Sequence, residues 1–158
     1  MKYYDPKRFR SQDSLGYLSK MAHSLMHDCA DEILAGHEIS FMQWIAMRKL
    51  REGLALTASE LCRAMSHDNG ALTRMLDQLE AQGFLQRQRS EEDRRVVTLK
   101  LTAKGERKLD EVTALVVGRL NEVLENFTRG ELDELTRLLK KLIGSLQDWR
   151  AQRDGEAA

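Results

Sequence analysis

The fold of this 158-residue chain is decided by the stretch from Thr57 to Thr102, TASELCRAMSHDNGALTRMLDQLEAQGFLQRQRSEEDRRVVTLKLT. Thr57 and Glu60 have the T-x-x-E spacing of a capping box, in which each side chain accepts a hydrogen bond from the other residue's backbone N–H. A short helical pattern follows, and after a polar break a second one ends at Gly83, a residue suited to the left-handed conformation that ends helices. Two helices joined by a short turn predict a helix-turn-helix.

Two strand patterns follow this pair of helices. Phe84–Arg89 and Val96–Leu101 are typical of strands, and Ser90–Arg95 between them is typical of a charged hairpin tip. Leu54–Leu56, just before the first of the two helices, is predicted as a short strand that adds to the same sheet. The pattern predicts a β-wing and therefore a winged helix-turn-helix.

Long helical patterns flank the winged module on both sides. Asp13–Leu34 has apolar residues at three- and four-residue steps, and Ser40–Gln43 is a capping box that opens a second helix. Ala103–Phe127 predicts a long helix, and Thr128–Glu131 is a further capping box that restarts the chain as a helix. Arg150–Ala158 is expected to be loose. The predicted fold class is mainly α with a small β-wing, with long N- and C-terminal dimerisation helices.

The flanking helices suggest how the chain is organised. Residues 1–56 are expected to form an N-terminal arm and scaffold helices, 57–102 the DNA-binding module, and 103–158 the C-terminal dimerisation helices, all in one continuous domain. The apolar stripes of the long helices exceed what a small winged module can cover. We therefore expect a symmetric homodimer, and the alternative is an intramolecular helical hairpin that covers itself.

Composition narrows the class of protein. The 25 basic and 25 acidic residues leave zero net charge, so DNA binding has to rest on the arrangement of charges and not on their total. No apolar run approaches the roughly 20 residues of a membrane span, and the N-terminus has no apolar export segment. Cys29 and Cys62 have no metal-ligand or disulfide spacing, which favours reduced thiols and a cytoplasmic location. No catalytic or nucleotide-binding motif is present, so neither an enzyme nor a cofactor is expected.

Two segments carry a resemblance to a known family. Gly70–Arg87, with its helix, glycine and strand start, and Ser90–Glu106, with its D-x-R wing and L-T-x-x-G helix entry, resemble the MarR-type transcriptional regulators. The resemblance implies a homodimer that binds a palindromic operator in double-stranded DNA. It further implies repression of transcription until a small aromatic or phenolic acid releases the protein.

The outward face of the second helix of the motif carries residues suited to DNA. Arg74 can bond guanine in bidentate fashion, and Asn69 and Gln78 can do so with adenine. Thr73 and Ser66 are short enough to bond phosphate. The alternative is a solvated helix face that contacts nothing. The candidate DNA-binding residues of this helix and its leading turn are Ser66, Asp68, Asn69, Ala71, Thr73, Arg74 and Gln78.

The hairpin tip supplies a second candidate contact. Arg94 and Arg95 could reach a narrow minor groove, whose negative potential attracts guanidinium groups. By the resemblance, Asp93 orients Arg95. The alternative is an exposed charged hairpin.

An effector pocket is expected where the dimerisation helices meet the winged module. By the resemblance, Thr73 and Arg87 are candidate contacts for a ligand carboxylate. Aromatic residues and methionine at helical spacing are more often core than pocket. The candidate ligand-binding residues are Tyr17, His23, Trp44, Met47, Arg48, Thr73 and Arg87.

Other functions remain open. His23 and His27 have the i, i+4 spacing that could hold a metal, although an exposed helix face explains them better. Cys29 and Cys62 are expected to be inert buried thiols. The alternatives to a ligand-released repressor are therefore a metal- or redox-sensing regulator of the same family, or a winged helix that docks a partner protein.

Overall fold

The computed structural model describes residues 3–65, 68–89, 93 and 96–156. Within this part of the chain no helix is long and apolar enough to cross a membrane. The fold is mainly α with a small antiparallel β-wing, as predicted. Its elements are α1 Leu15–Leu34, α2 Phe41–Arg51, α3 Ala58–Met65, α4 Asn69–Ala81, β1 Leu85–Arg89, β2 Val97–Leu101, α5 Ala103–Val123 and α6 Arg129–Glu156.

The chain forms two compact units, Met1–Gly118 and Arg119–Ala158. The first unit contains α1 to α4, the wing strands and most of α5, and it holds the apolar core. Its largest fully buried side chains are Met47, Leu61, Leu72, Leu76, Leu79, Phe84, Leu85, Leu109, Val112 and Val116. The second unit contains α6.

Three predicted capping boxes form as expected. In each, a hydroxyl accepts a hydrogen bond from the backbone of the third helical residue, whose own side chain accepts one from the cap backbone. The backbone N–H of Thr57, for example, donates to Glu60 Oε2 at 3.0 Å, and that of Glu60 donates to Thr57 Oγ1 at 3.2 Å. The boxes pair Ser40 with Gln43, Thr57 with Glu60, and Thr128 with Glu131.

The predicted short strand at Leu54–Leu56 is wrong. Leu56 makes one sheet-like bond, in which its carbonyl accepts from the Leu99 N–H at 2.8 Å. Its own N–H donates to the Glu60 carboxylate at 2.8 Å. Because the cap of α3 uses this donor, the segment cannot continue as a ladder beside β2.

The predicted helix ends also change. α1 begins at Leu15, because Ser14 caps it after a short 3₁₀ turn at Ser11–Asp13. α5 ends at Val123, and the expected continuation to Phe127 is a tight turn. The tail expected to be loose belongs to α6 as far as Glu156, where the Arg153 guanidinium lies over the Trp149 ring, 5.1 Å from its centroid.

The wing joins α4 and α5 at one crowded point. β1 and β2 pair with Leu85 opposite Leu101, and Gly83 before them has φ +74°. The Thr102 hydroxyl donates to the Gly83 carbonyl at 2.6 Å and accepts from the Gly105 N–H at 3.0 Å. A Cβ atom at Gly105 would lie 2.0 Å from the Phe84 carbonyl oxygen. The L-T-x-x-G sequence therefore fits a site where α5 passes directly over the backbone of Phe84.

Replacing Gly105 with alanine should destabilise the fold. The added methyl group has to displace backbone atoms, which we expect to lower the free energy of unfolding by about 2 kcal/mol or more. Gly118→Ala in the same helix is the matched control, because nothing lies within 4 Å of a Cβ there. That change should raise stability by up to about 1 kcal/mol, since alanine is the better helix former. Urea denaturation of both variants measures the difference, and equal stabilities would contradict the crowded junction.

Candidate nucleic-acid interface

α4 begins at a side-chain cap. Asp68 Oδ1 accepts from the backbone N–H groups of Gly70 at 2.9 Å and Ala71 at 3.1 Å. The carboxylate that sequence reasoning placed among the DNA contacts therefore holds the first turn of α4. Ser66, in the turn before it, lies outside the described residues.

The exposed face of α4 brings three predicted DNA contacts together. Asn69, Thr73 and Arg74 are exposed, whereas Leu72 and Met75 on the opposite face are buried. The Thr73 hydroxyl donates to the Asn69 carbonyl at 2.8 Å, one turn earlier. The first two turns of the helix thus present an amide, a hydroxyl and a guanidinium, the groups that read base edges and bond phosphates.

Gln78 and Ala71 line a groove between α4 and α2. The Gln78 side-chain oxygen accepts from Gln43 Nε2 at 3.3 Å, so this amide links the two helices. The groove has a volume of about 380 Å³. Its lining residues are Ser40, Met42, Gln43, Ala71, Arg74, Met75 and Gln78. Sequence reasoning missed it because α2 and α4 are distant along the chain. Arg74 belongs to both the groove and the outward face of α4.

The wing strands carry a cluster of charges that sequence reasoning only partly found. Arg87 on β1 bonds Asp77 Oδ1 at 2.7 Å through Nη2, and it bonds the Glu80 carboxylate through Nη1. The hydrogen bond to Asp77, with further attraction from Glu80, raises the pKa of Arg87 above its ordinary value. Arg87, expected to bind a ligand carboxylate, thus already holds two carboxylates of α4. The sequence does not predict these acidic partners, because their contact with Arg87 depends on how the wing folds back along α4.

The hairpin tip is described only in part. The Asp93 carbonyl accepts from the Val96 N–H at 2.9 Å, which closes a turn before β2. The predicted minor-groove contacts Arg94 and Arg95 lie outside the described residues.

The candidate ligand contacts of the first two helices do not share one environment. Tyr17 and His23 are exposed on α1, and Arg48 pairs with Glu52 on the side of α2. Trp44 donates from Nε1 to Thr113 Oγ1 at 3.0 Å and stacks on Phe41 with ring centroids 5.5 Å apart. Met47, in contrast, has no exposed surface. Its helical spacing reflected a place in the core of the first unit.

The geometry gives little support to the metal-binding and redox-sensing hypotheses. His27 Nδ1 lies 3.0 Å from Asp31 Oδ2, and the rings of His23 and His27 are 6.2 Å apart. Among the residues that the structure describes, no group of three or more histidine, cysteine or acidic side chains is placed to hold a metal ion. Cys29 and Cys62 are partly exposed, so the expectation that both are buried was wrong.

Comparison with known proteins gives one consistent result. A model of the MarR family matches residues 39–97, from the start of α2 into the wing. The "Multiple antibiotic resistance protein MarR" of Escherichia coli is 34% identical over 130 residues, which cover 82% of this chain and 90% of that protein. A cysteine-to-serine variant of E. coli MarR complexed with operator DNA has a TM-score of 0.72 at 34% identity, with 81% of this chain and 92% of that chain covered.

A more distant structure shares the fold. Bordetella bronchiseptica BpsR, described as regulated in its DNA binding by 6-hydroxynicotinic acid, has a TM-score of 0.75 at 18% identity. The likeness covers 85% of this chain and 96% of that one.

The cap of α3 should make stability depend on pH. Hydrogen bonds from the Leu56 N–H, and then from Thr57, lower the pKa of the Glu60 carboxyl. A lowered folded-state pKa contributes stability that is present above the unfolded value and is lost as the pH falls through the folded value. The advantage of wild type over Glu60→Gln should therefore be largest near about pH 7 and shrink below about pH 4. Urea denaturation across this range measures it. Glu32→Gln on the side of α1 is the control, and the same pH trend in both variants would contradict the assignment.

Proposed function

The chain belongs to the MarR family of DNA-binding transcriptional regulators and is not an enzyme, and from this premise we propose that it is a homodimeric repressor of a palindromic operator. A small aromatic or phenolic acid would release it from DNA. The observation that carries the proposal is the exposed face of α4, where Asn69, Thr73 and Arg74 lie beside the helix N-terminus. Helix N-termini and such side chains suit DNA phosphates and base edges. The E. coli relative, in complex with operator DNA, supports the same use of this fold.

The proposed roles along α4 follow from its geometry. Arg74 is assigned to base edges in the major groove, with Asn69 and Thr73 beside it. Asp68 is assigned an indirect role, since its carboxylate sets the start of the helix. Arg94 and Arg95 keep their predicted role in the minor groove, with Asp93 bracing Arg95.

Exposed apolar stripes support the proposed homodimer. On α1, Leu18 and Leu25 expose 52% and 61% of their surface, and on α6, Leu146 and Trp149 expose 57% and 58%. Monomeric proteins rarely expose contiguous apolar patches of this kind, and such patches mark interaction sites. We therefore assign dimerisation to the N-terminal segment 1–56 and the C-terminal segment 103–158, and DNA binding to 57–102. A two-fold axis would then place two α4 helices in successive major grooves.

The groove between α2 and α4 is the proposed effector site. Met42 and Met75 supply apolar surface, Gln43 and Gln78 supply amides, and Arg74 supplies a cation for a carboxylate. A ligand there would occupy the guanidinium that is proposed to read a base. Release from DNA would then follow from direct competition for Arg74. BpsR, whose DNA binding responds to 6-hydroxynicotinic acid, supports an aromatic acid as the ligand class. Thr73 with Arg87 remains the alternative contact set, and Tyr17, His23, Trp44 and Arg48 remain further candidates.

Operator binding tests the first half of the proposal. The protein should shift DNA from upstream of its own gene in preference to random DNA, with an affinity that falls steeply as salt rises. Arg74→Ala should weaken specific binding about 10- to 100-fold, as expected for a lost bidentate base contact. Arg95→Ala should weaken binding and lower the salt slope by about one. Arg150→Ala on α6 is the control and should change neither quantity. Wild-type binding no better than to random DNA would refute the function.

Ligand binding tests the second half. An aromatic carboxylate bound only by the native state should raise the melting temperature, since a ligand at 100 times its Kd stabilises by about 2.7 kcal/mol. Arg74→Ala should lose this rise, whereas Arg87→Ala should keep it. The reverse result would move the effector site to Thr73 and Arg87. A panel in which no aromatic acid stabilises the wild-type protein would contradict the proposed ligand class.

A further inference from the structure

One arginine of the wing, Arg87, forms ion pairs with α4, the helix proposed to read the operator. The Arg87 guanidinium lies between Asp77 and Glu80, which are three residues apart on α4. The backbone N–H of Arg87 also donates to Glu80 Oε1 at 3.3 Å. Arg87 pairs with Leu99 across the two strands, and the Leu99 N–H bonds the Leu56 carbonyl ahead of α3. The middle of the wing is thus held on one side by α4 and on the other by the segment before α3.

This cluster is poorly suited to contact DNA itself. Two carboxylates and one guanidinium leave it with a net negative charge, which repels phosphate. To reach a phosphate, Arg87 would have to give up at least one of its carboxylate partners. Asp77 also lies about 12 Å along the helix axis from Asn69, away from the end of α4 proposed to read bases.

We infer that Arg87 is a positioning residue, which together with Asp77 and Glu80 sets the orientation of the wing relative to α4. The inference rests on the proposed function, because it explains how the wing and α4 can contact the operator at the same time. A wing held at one angle lets its tip and α4 reach adjacent grooves together. A loosened wing lets either element bind while the other is out of register. Specific binding should therefore suffer more than non-specific binding.

We call the ion-pair cluster of Arg87 with Asp77 and Glu80 the brace. The first test variant removes its two carboxylates and keeps the arginine. In Asp77→Asn with Glu80→Gln, the ratio of operator affinity to random-DNA affinity should fall about fivefold, as suits a partly exposed ion pair. Arg87→Gln should lower the ratio as much, and the combined triple variant should be no worse, because all three residues act as one unit. Asp77→Glu keeps the carboxylate and should keep the wild-type ratio. Amide hydrogen exchange of β1 and β2 in the free protein should speed up in the brace variants alone.

The chain offers a matched control for charge. Arg51 lies between Glu106 and Asp110 of α5, with 27% of its side chain exposed against 32% for Arg87. Asp110→Asn with Glu106→Gln removes the same charge from a similar cluster between α2 and α5, which includes no residue of α4 or of the wing strands. It should shift operator and random-DNA affinities alike and leave the exchange of the wing amides unchanged.

The outcomes separate the two proposals. A wild-type protein that prefers the operator, with brace variants that keep its ratio and its wing exchange, would overturn the brace and leave the function intact. Tighter binding with a steeper salt slope in Asp77→Asn with Glu80→Gln than in the Asp110→Asn with Glu106→Gln control would also overturn it, since a freed Arg87 would then be a phosphate contact. A wild-type protein without operator preference would overturn the proposed function, and wing exchange would still decide whether the brace orders the strands.

Discussion

The close approach of Gly105 to the Phe84 carbonyl is the constraint on which the DNA-reading half of the molecule depends. Here the segment between α4 and β1 lies against the first turn of α5, and the Thr102 hydroxyl bonds both the Gly83 carbonyl and the Gly105 N–H. Lys104 adds a further link, because its ammonium donates to the Gln82 carbonyl at 2.8 Å and lies over the Phe84 ring. The base of the wing therefore cannot rotate about α4 without breaking the cap of α5. Beyond this base, the orientation of the wing depends on Arg87, as proposed above.

An arginine placed between two carboxylates occurs at two interfaces within the first compact unit. Arg51 joins α2 to two acids of α5, and Arg87 joins β1 to two acids of α4. In both, hydrogen bonds to the carboxylates raise the pKa of the arginine, with Asp110 and Asp77 as the leading partners. Planar guanidinium groups suit such two-carboxylate contacts better than ammonium groups do. These two clusters thus link α2 to α5 and β1 to α4 through charged side chains.

Features that depend on neighbours in the chain were predictable, and features that depend on long-range packing were not. The capping box at Thr57 and the helix end at Gly83 follow from short spacings, and both occur as predicted. Asp68 before Asn-Gly also carries a local signal for a helix cap, besides the polarity that suggested a DNA contact. The pairing of Asp77 with Arg87 requires β1 to fold back along α4, and no local pattern encodes it. Met47 shows a related ambiguity, since helical spacing alone does not separate a core residue from a pocket residue.

Zero net charge has a consequence for how such a regulator distinguishes its operator. Long-range attraction to phosphate supplies most non-specific affinity, so a neutral protein gains little of it before its elements engage. Binding must then rest on the few groups that fit a particular site, and the angle between α4 and the wing decides whether they fit together. In the proposed function, a ligand at Arg74 would change that fit with little change in total charge, and so would a loosened Arg87. In the proposed function, low background affinity is therefore the condition under which a small acid, displacing a single guanidinium, is sufficient to release the protein.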